Sequence, residues 1–215
     1  MNSSSSRARA CTVVLAAIAW AGVLLQCYLS LRLAVRSGKS IGGGLVVFLG
    51  YFTVLTNILV GVSLALPLLA RRSAAGRFFS RAGVLAGIAV NIAFVGLSYH
   101  FLLRKTWNPE GLQWIADMAL HYAIPALYVL YWGLLSPKGA LRWTHPLWWS
   151  AYPAGYLAYA LVRGEITGSY PYPFIDVAAI GVGRTLRNAF GLLAAFDLLG
   201  AAFVLFARTM GRARA

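Results

Sequence analysis

The stretch ACTVVLAAIAWAGVLLQCYLSLRL, residues 10–33, carries a single charged side chain, Arg32. A helix needs about 20 consecutive apolar residues to cross the hydrocarbon core of a bilayer, and this stretch is long enough. It is also longer than the apolar region of a cleaved signal peptide. We therefore predict that residues 10–33 form a first transmembrane helix.

The composition of the whole chain agrees with this interpretation. Of the 215 residues, 60% are hydrophobic and 11% are charged, whereas a soluble domain carries about 25% charged residues. A soluble globule would lack charge for its surface, and disordered chains are poor in the apolar residues found here. Both classes are excluded, and the chain is predicted to be an integral membrane protein.

Further apolar runs follow the first, and none alternates with the period of two that is typical of a β-strand. The runs extend over about 45–70, 82–103, 114–135, 146–162 and 185–207. The fold is therefore predicted to be all-α, a polytopic membrane protein with six transmembrane helices in one bundle. We divide the chain into a disordered basic N-terminal tail, the six-helix domain and a basic C-terminal tail, over 1–9, 10–207 and 208–215.

Basic residues outnumber acidic ones, with 19 Lys and Arg against 5 Asp and Glu. They lie in short segments between the apolar runs, and this placement favours contact with membrane lipids over nucleic-acid binding. If both termini are cytoplasmic, the inner segments hold most of these residues, around 7–9, 71–81, 138–142 and 208–214. The positive-inside rule therefore predicts cytoplasmic N and C termini.

Polar residues inside membrane spans are costly in hydrocarbon, so they are the first candidates for function. In the second span, GYFTVLTNILVG, Thr53 and Asn57 are one helical turn apart. In the fourth span, WIADMALHYAIPALYVLYW, Asp117 and His121 have the same spacing. At ~1.5 Å per residue, Thr53 and His121 lie about 12 Å and about 10 Å from the starts of their spans. Both are then at similar depth in the outer half of the bilayer.

These residue types in this arrangement point to a nucleophilic hydrolase. A threonine hydroxyl attacks an ester when a neighbouring base removes its proton. His121 would be that base, and Asp117 would orient it. Asn57 would stabilise the charged oxygen of the intermediate. Thr56, about 60° around the same helix, is the competing hydroxyl.

Each of these groups also has a structural interpretation. A threonine within a helix usually donates to the carbonyl four residues earlier. His121 and Asp117 would equally serve as an interhelical pair. The histidines lie in separate segments of the chain, so we expect no metal site and no cofactor.

The segment RGEITGSYPYPFIDVAAIGVGR, residues 163–184, is the most unusual connection in the chain. Its repeated Tyr-Pro pairs favour an extended, stiff path, either as a lid over a cavity or as a packed interfacial loop. Polar side chains at the same end of the bundle are predicted to bind the substrate, through a fatty carboxylate or a lipid head group. They are Arg104, Arg184, Arg187 and Asn188.

Several motifs carry a resemblance to a known group of proteins: HYAIP, YW-x3-SPKG, YP-x2-Y, RG-x3-GSYPYPFIDV and the asparagine of the sixth span. The chain resembles an uncharacterised six-pass bacterial membrane-protein family, which is distantly similar to the androgen-induced membrane hydrolases. Those hydrolases split fatty acid esters of hydroxy fatty acids with a threonine in span two and a histidine in span four. The resemblance implies these roles for Thr53 and His121, which is followed by Pro125, and a place in the bacterial cytoplasmic membrane.

The leading hypothesis is an intramembrane hydrolase that takes a lipid-like ester from the outer half of the bilayer. The alternatives are a small-molecule or proton-coupled transporter, with Asp197, Asp117 and His121 as its titrating groups, and a non-enzymatic subunit of a larger membrane complex. Transporters commonly carry inverted repeats, and the sequence has none that we detect. Hydrolysis would depend on Thr53, whereas proton coupling would depend on Asp197.

Overall fold

The computed structural model describes residues 3–138 and 141–212, which form helices and short connections without a strand. Helices α1 to α11 occupy Ser3–Arg36, Ile41–Phe48, Phe52–Leu69, Ala74–Phe78, Ala82–Ser98, Gly111–Met118, Ile124–Leu135, His145–Trp149, Ala151–Thr167, Val177–Ile180 and Val182–Arg212. Two π-helical turns follow α5 and α6 directly, over Tyr99–Leu103 and Ala119–Ala123, and a short 3₁₀ turn covers Pro173–Ile175. The predicted all-α class is confirmed for the described residues.

Five helical stretches are long and apolar enough to cross a membrane. They are Ser6–Arg36, Phe52–Leu69, Ala82–Leu103, Gly111–Leu135 and Val182–Met210. Each coincides with one of the predicted apolar runs. The chain therefore has the helices of an integral membrane protein, with five candidate spans.

The remaining predicted run, over about 146–162, is divided in the structure. Its residues belong to α8 and α9, which are separated at Ser150. Pro153 lacks the N–H that would bond to the carbonyl of Trp149, so a continuous helix is interrupted here. Neither helix reaches the length and hydropathy of the five candidate spans.

Several predicted boundaries differ from the structure. The run predicted over about 45–70 contains a break, because α2 ends at Phe48 and α3 begins at Phe52. Residues 3–9, predicted as part of a disordered tail, are helical, since α1 begins at Ser3. Helix α11 likewise continues through 208–212, while 1–2 and 213–215 lie outside the described residues.

The bundle has two ends, which we name after residues found there. At the Tyr172 end, α3 begins and its Thr53 N–H donates to the Tyr172 hydroxyl. At the opposite end, the His145 end, the indole Nε1 of Trp149 donates to the carbonyl of Gly83, 3.0 Å away in the first turn of α5. Helices α3 and α5 therefore run in opposite directions between the two ends.

Helix α5 approaches the α6–α7 segment closely at Gly96. A Cβ atom at this position would lie 3.1 Å from the carbonyl oxygen of His121 and 3.3 Å from Cβ of Pro125. Both distances are shorter than ordinary van der Waals contact, so a larger residue would require the neighbouring segment to shift. The contact sets the π-helical turn after α5 against the turn that carries His121.

Candidate active site

A cavity of about 500 Å³ lies at the Tyr172 end of the bundle. Its walls come from α1, α3, α6, both π-helical turns and the segment between α9 and α10. Thr53, Asp117 and His121, the predicted catalytic residues, all line it, together with Tyr99 and Tyr172. The structure therefore brings the three predicted side chains to one cavity.

Asp117 connects two other side chains of the cavity wall. Its side chain is 3% exposed, and Oδ2 accepts a hydrogen bond from the Tyr99 hydroxyl at 2.5 Å. His121 Nδ1 lies 3.1 Å from Asp117 Oδ1 and 3.1 Å from its backbone carbonyl oxygen. The carbonyl is the better aligned acceptor, because Oδ1 has no directed hydrogen bond within the described part of the chain. Residue 117 thus holds Nδ1, and Nε2 is the nitrogen left for chemistry.

The imidazole of His121 is held from one face as well. The Tyr99 ring stacks on it with centroids 3.8 Å apart and an interplanar angle of 15°, and 14% of the His121 side chain is exposed. Both residues lie in π-helical turns, an irregularity that is frequent at functional sites. The histidine is therefore fixed by an acceptor on one edge and a ring on one face.

Thr53 lies in the first turn of α3, since the helix begins at Phe52. Its N–H donates to the Tyr172 hydroxyl at 3.4 Å, and its side chain also contacts that hydroxyl. Among the described residues, no hydrogen bond runs from Thr53 Oγ1 to a backbone carbonyl, unlike the usual behaviour of a helical threonine. Nor does one join Thr53 to His121, although both line the large cavity.

Asn57 ties the helix of Thr53 to the turn of His121. Its Nδ2 donates to the carbonyl of Thr53 at 2.8 Å and to the carbonyl of Leu120 at 3.2 Å. The two helices are therefore neighbours, as the predicted chemistry requires. Both amide hydrogens are used, however, and the buried Oδ1 is an acceptor without a described partner. The predicted role of Asn57 as an oxyanion donor is not supported by this geometry, because no free donor remains.

Thr56, the competing hydroxyl, points elsewhere. It is fully buried, and its Oγ1 lies 3.3 Å from the Tyr152 hydroxyl on α9. It does not line the cavity that contains His121. Of the two threonines, Thr53 is therefore the one that shares a cavity with the histidine.

A second, smaller cavity of about 80 Å³ adjoins the first. Its lining is almost entirely apolar and includes Phe52, Phe94 and Phe196. Thr53 and Tyr172 belong to the walls of both cavities. The threonine thus stands between a polar space and an apolar one.

The connection between α9 and α10 closes one side of this site. Residues 171–173 line the large cavity, and the rings of Tyr172 and Phe174 stack with centroids 5.2 Å apart. Asn188 Nδ2 donates to the carbonyl of Phe174 at 3.0 Å and so attaches the segment to α11. The segment is packed against the bundle, with Tyr172 pointing into the site.

The side chains predicted to bind the substrate lie outside the large cavity. Arg104 contacts His100 at 3.3 Å, Arg184 and Arg187 are exposed, and Asn188 holds the loop. In the part of the chain that the structure describes, the cavity lining therefore includes none of the residues Arg104, Arg184, Arg187 and Asn188. They were selected for their place in the sequence; the three arginines are exposed, and Asn188 is half-buried against the loop.

A polar wall on the side of α1 was missed by the sequence reasoning. Gln113 Nε2 donates to Gln26 Oε1 at 2.9 Å, and Gln26 Nε2 donates to Ser30 Oγ at 3.1 Å. Lys39, just after α1, also lines the cavity. Gln26 could have been found, because it is a polar residue inside an apolar run. Lys39 lies in the connection between α1 and α2, and no sequence pattern there marks it as a site residue.

Tyr99 and Tyr172 were also missed as site residues. Tyrosine is common in and near membrane spans, so Tyr99 carries no signal of its own. Tyr172 belongs to the unusual YPYPFID segment. This segment was predicted to be a lid or a packed loop, but no role was assigned to the Tyr172 side chain. Only the tertiary structure assigns both to the cavity.

Asp197, the residue on which the transporter alternative depends, lies apart from this site. It is half-buried in α11 with an unpartnered Oδ1 among the described residues, and it lines neither cavity. Its position gives it no contact with Asp117 or His121 within the described ranges. Comparison of the chain with family models, curated proteins and solved structures finds no match.

Proposed function

We propose that the protein is an intramembrane hydrolase of a lipid-like ester, with Thr53 as the nucleophile and His121 as the base. One observation carries this proposal: Thr53 and the Asp117–His121 pair line the same cavity, and Asn57 ties their helices together. The resemblance to the androgen-induced membrane hydrolases selects the same threonine and histidine. Asp117 is the positioning residue, since it holds Nδ1 of the imidazole.

The reaction proceeds through a threonyl ester. His121 Nε2 accepts the Thr53 Oγ1 proton as Oγ1 bonds to the ester carbonyl carbon, and the carbonyl π pair moves onto its oxygen. The pair returns as the bond to the alcohol oxygen breaks, and the imidazolium gives its proton to that oxygen. Water then attacks the threonyl ester while His121 takes a water proton. The acid leaves, and Thr53 Oγ1 takes that proton back.

The surroundings of Thr53 support a substrate with an apolar part and a polar part. The small cavity on one side of Thr53 is apolar, whereas the large one contains the polar wall of Gln26 and Ser30. An acyl chain would enter from the bilayer, and water would reach the ester through the large cavity. Catalytic hydrogen bonds often tighten only when substrate binds, so the proposed reaction does not require a Thr53–His121 hydrogen bond in the protein without substrate.

We further propose that α8 and α9 together make a sixth crossing, with both termini cytoplasmic and the Tyr172 end outside. Trp149, at the end of α8, bonds to Gly83 in the first turn of α5. Farther along, the Tyr156 hydroxyl donates to the carbonyl of Gly50 at the start of α3. The α8–α9 segment thus extends from one end of the bundle toward the other. The bacterial cytoplasmic membrane is the location that the resemblance favours.

The experiment uses purified protein in detergent micelles, a fluorophosphonate probe and p-nitrophenyl octanoate as the ester. We expect the wild type to label and to hydrolyse, and Thr53→Val and His121→Gln to do neither. Thr56→Val is the matched control, because it removes a hydroxyl from the same helix but outside the cavity. We expect this variant to keep both labelling and hydrolysis. Labelling that persists in Thr53→Val would overturn the proposal, as would an inert but folded wild type.

A proton-coupled transporter gives the opposite pattern. The uptake of protons into proteoliposomes down a pH gradient would then depend on Asp197. Asp197→Asn would abolish this uptake, whereas Thr53→Val would leave it unchanged. Under the hydrolase proposal, Asp197→Asn keeps its ester hydrolysis, since this residue lines neither cavity. The two variants assayed side by side separate the two functions.

A further inference from the structure

The attack of Thr53 on an ester creates a negatively charged oxygen, and such an oxygen needs a hydrogen-bond donor. Asn57 has no donor to give, because its amide hydrogens are bound to the carbonyls of Thr53 and Leu120. Tyr99 donates to Asp117. The donor therefore has to come from another group beside Thr53.

Tyr172 is the polar side chain in direct contact with Thr53. Its Oη lies 3.4 Å from the Thr53 backbone nitrogen, from which it accepts a hydrogen bond, and it also contacts the Thr53 side chain. Tyr172 lines the large cavity and the small one. Its hydroxyl is thus beside the nucleophile, at the junction where the reacting carbonyl has to lie.

Among the described residues, the Tyr172 hydroxyl accepts the Thr53 N–H, and no hydrogen bond donated by Tyr172 to a protein acceptor is found. The hydroxyl of the neighbouring Tyr156 gives its own proton to the carbonyl of Gly50 at 2.9 Å. A negatively charged oxygen is a stronger acceptor than a neutral hydroxyl. The proton would therefore turn to the oxyanion when it forms, without any movement of the ring.

The ring itself is held in place. It stacks on Phe174 at 5.2 Å with an interplanar angle of 6° and meets Tyr51 edge-on at 6.0 Å. A donor that is already oriented costs no reorganisation at the moment of reaction. The aromatic contacts therefore preorganise the hydroxyl at Thr53.

We propose that Tyr172 is a catalytic residue that donates the hydrogen bond stabilising the oxyanion formed on attack by Thr53. This inference rests on the proposed hydrolase function. It assigns a role to the YPYPFID segment: the segment supplies the electrophilic group of the site. Tyr172 keeps its proton throughout the reaction, so no proton transfer is added to the steps described above.

Burial raises the pKa of Tyr172 above its ordinary value. The phenol therefore stays protonated, and able to donate, over the whole range in which the enzyme is assayed. The titratable side chains that face its hydroxyl are tyrosines as well, Tyr152 and Tyr156 of α9, and they add no charge near neutral pH.

The test replaces Tyr172 by Phe, which removes the hydroxyl and keeps the ring. We expect kcat for p-nitrophenyl octanoate to fall about 100-fold, the usual cost of one oxyanion donor, while KM changes little. The fluorophosphonate should label more slowly by a similar factor, since its phosphoryl oxygen occupies the oxyanion position. A purely structural tyrosine would change KM or the unfolding temperature instead.

Tyr170→Phe is the matched control, because Tyr170 occupies the other Tyr-Pro pair of the same segment. Its hydroxyl donates to Glu165 Oε2 at 3.4 Å and lies outside both cavities. We expect its kcat to equal that of the wild type. Equal rates for Tyr172→Phe and Tyr170→Phe would overturn the inference.

A second variant covers the case in which Tyr172→Phe does not fold. Site-specific 3-fluorotyrosine at position 172 keeps the shape of the side chain and lowers the pKa of its phenol. Because a more acidic phenol donates a stronger hydrogen bond, we expect kcat at neutral pH to rise while KM stays unchanged, and a kcat equal to that of the wild type would contradict the role of Tyr172.

The failures of the two proposals are distinguishable. If Thr53→Val is inactive and Tyr172→Phe is fully active, the hydrolase stands and the role of Tyr172 is wrong. If Thr53→Val is as active as the wild type, or the folded wild type is inert, the hydrolase proposal is wrong and the role of Tyr172 with it.

Discussion

The phenol of Tyr99 lies nearly parallel to the imidazole of His121, 3.8 Å away, while its hydroxyl donates to Asp117. One tyrosine therefore touches both members of the Asp–His pair. It limits the rotation of the imidazole, and it supplies a hydrogen bond to Oδ2 of the buried carboxylate. If His121 is the proposed base, Tyr99 is a positioning residue for it.

Tyr99→Phe keeps the stacked ring and removes the hydrogen bond to Asp117. We expect the free energy of unfolding to fall by about 1–3 kcal/mol, because a buried carboxylate oxygen loses its donor. We also expect kcat to fall with little change in KM, measured with p-nitrophenyl octanoate. Tyr122→Phe is the control, since the Tyr122 hydroxyl contacts His100 at 3.3 Å instead. Wild-type kcat in Tyr99→Phe would contradict this role.

Asn57→Ala removes the link between α3 and the His121 turn. The carbonyls of Thr53 and Leu120 each lose one hydrogen bond, so we expect a loss of about 0.5–1.5 kcal/mol in stability for each bond, and no detectable hydrolysis. Asn91→Ala is the matched control. Asn91 is also buried, but its Nδ2 bonds within α5, to the carbonyl of Gly87 at 2.8 Å. Thermal unfolding and hydrolysis of both variants check this, and an active Asn57→Ala would contradict it.

Gly96→Ala pushes α5 away from the α6–α7 segment. The added Cβ would lie 3.1 Å from the His121 carbonyl oxygen, and overpacking of this kind costs about 1–3 kcal/mol. The Tyr99–His121 stack should loosen, with a lower kcat. In the control Gly133→Ala, the added Cβ has no neighbouring atom within 4 Å. This variant should therefore be more stable than the wild type, by up to about 1 kcal/mol in the free energy of unfolding. Equal unfolding temperatures for the two variants would be evidence against this packing.

Stability at alkaline pH reports on Tyr172. Because its pKa in the folded protein is raised by burial, the unfolded chain ionises first, near its ordinary value of about 10. The contribution of the buried phenol is fully present below that pH and is lost as pH rises through the folded-state pKa. Unfolding temperatures measured between about pH 9 and pH 11 should therefore fall more in the wild type than in Tyr172→Phe. Parallel curves would contradict the burial of this hydroxyl.

Cysteine accessibility tests the sixth crossing. In a chain with Cys11 and Cys27 replaced by serine, Ser37→Cys and Ser169→Cys should react with an impermeant maleimide on intact cells. Ser73→Cys should react only after the membrane is opened, because Ser73 lies between α3 and α5 at the other end. Labelling of Ser169→Cys only after permeabilisation would mean that α8 and α9 do not cross.

The sequence predicts well the relationships that lie within one helix. Asp117 and His121 are one turn apart, and their contact follows from helical spacing alone. The choice of Thr53 over Thr56 does not, because it depends on where α9 places Tyr152. Tyr99, Tyr172 and Lys39 reach the cavity from three other parts of the chain, and no local pattern marks them.

The breaks between helices were also not predicted from the sequence. The interruption between α2 and α3 places Thr53 in a first helical turn, although an unbroken apolar run predicted it about two turns inside a span. The arginines near the outer loop lie outside the lining of the large cavity, because proximity along the chain does not determine which way a helix face turns. Each of these features depends on tertiary packing.

The π-helical turn Ala119–Ala123 separates two tasks of one membrane helix. Before it, α6 presents Asp117 to the cavity; after it, α7 presents Tyr128 and Trp132 to the apolar core. One residue fewer in this turn would rotate α7 by about 100° relative to α6. The turn therefore sets the rotation of α7 relative to α6, so that one continuous membrane helix lines a cavity with its first half and packs in the apolar core with its second.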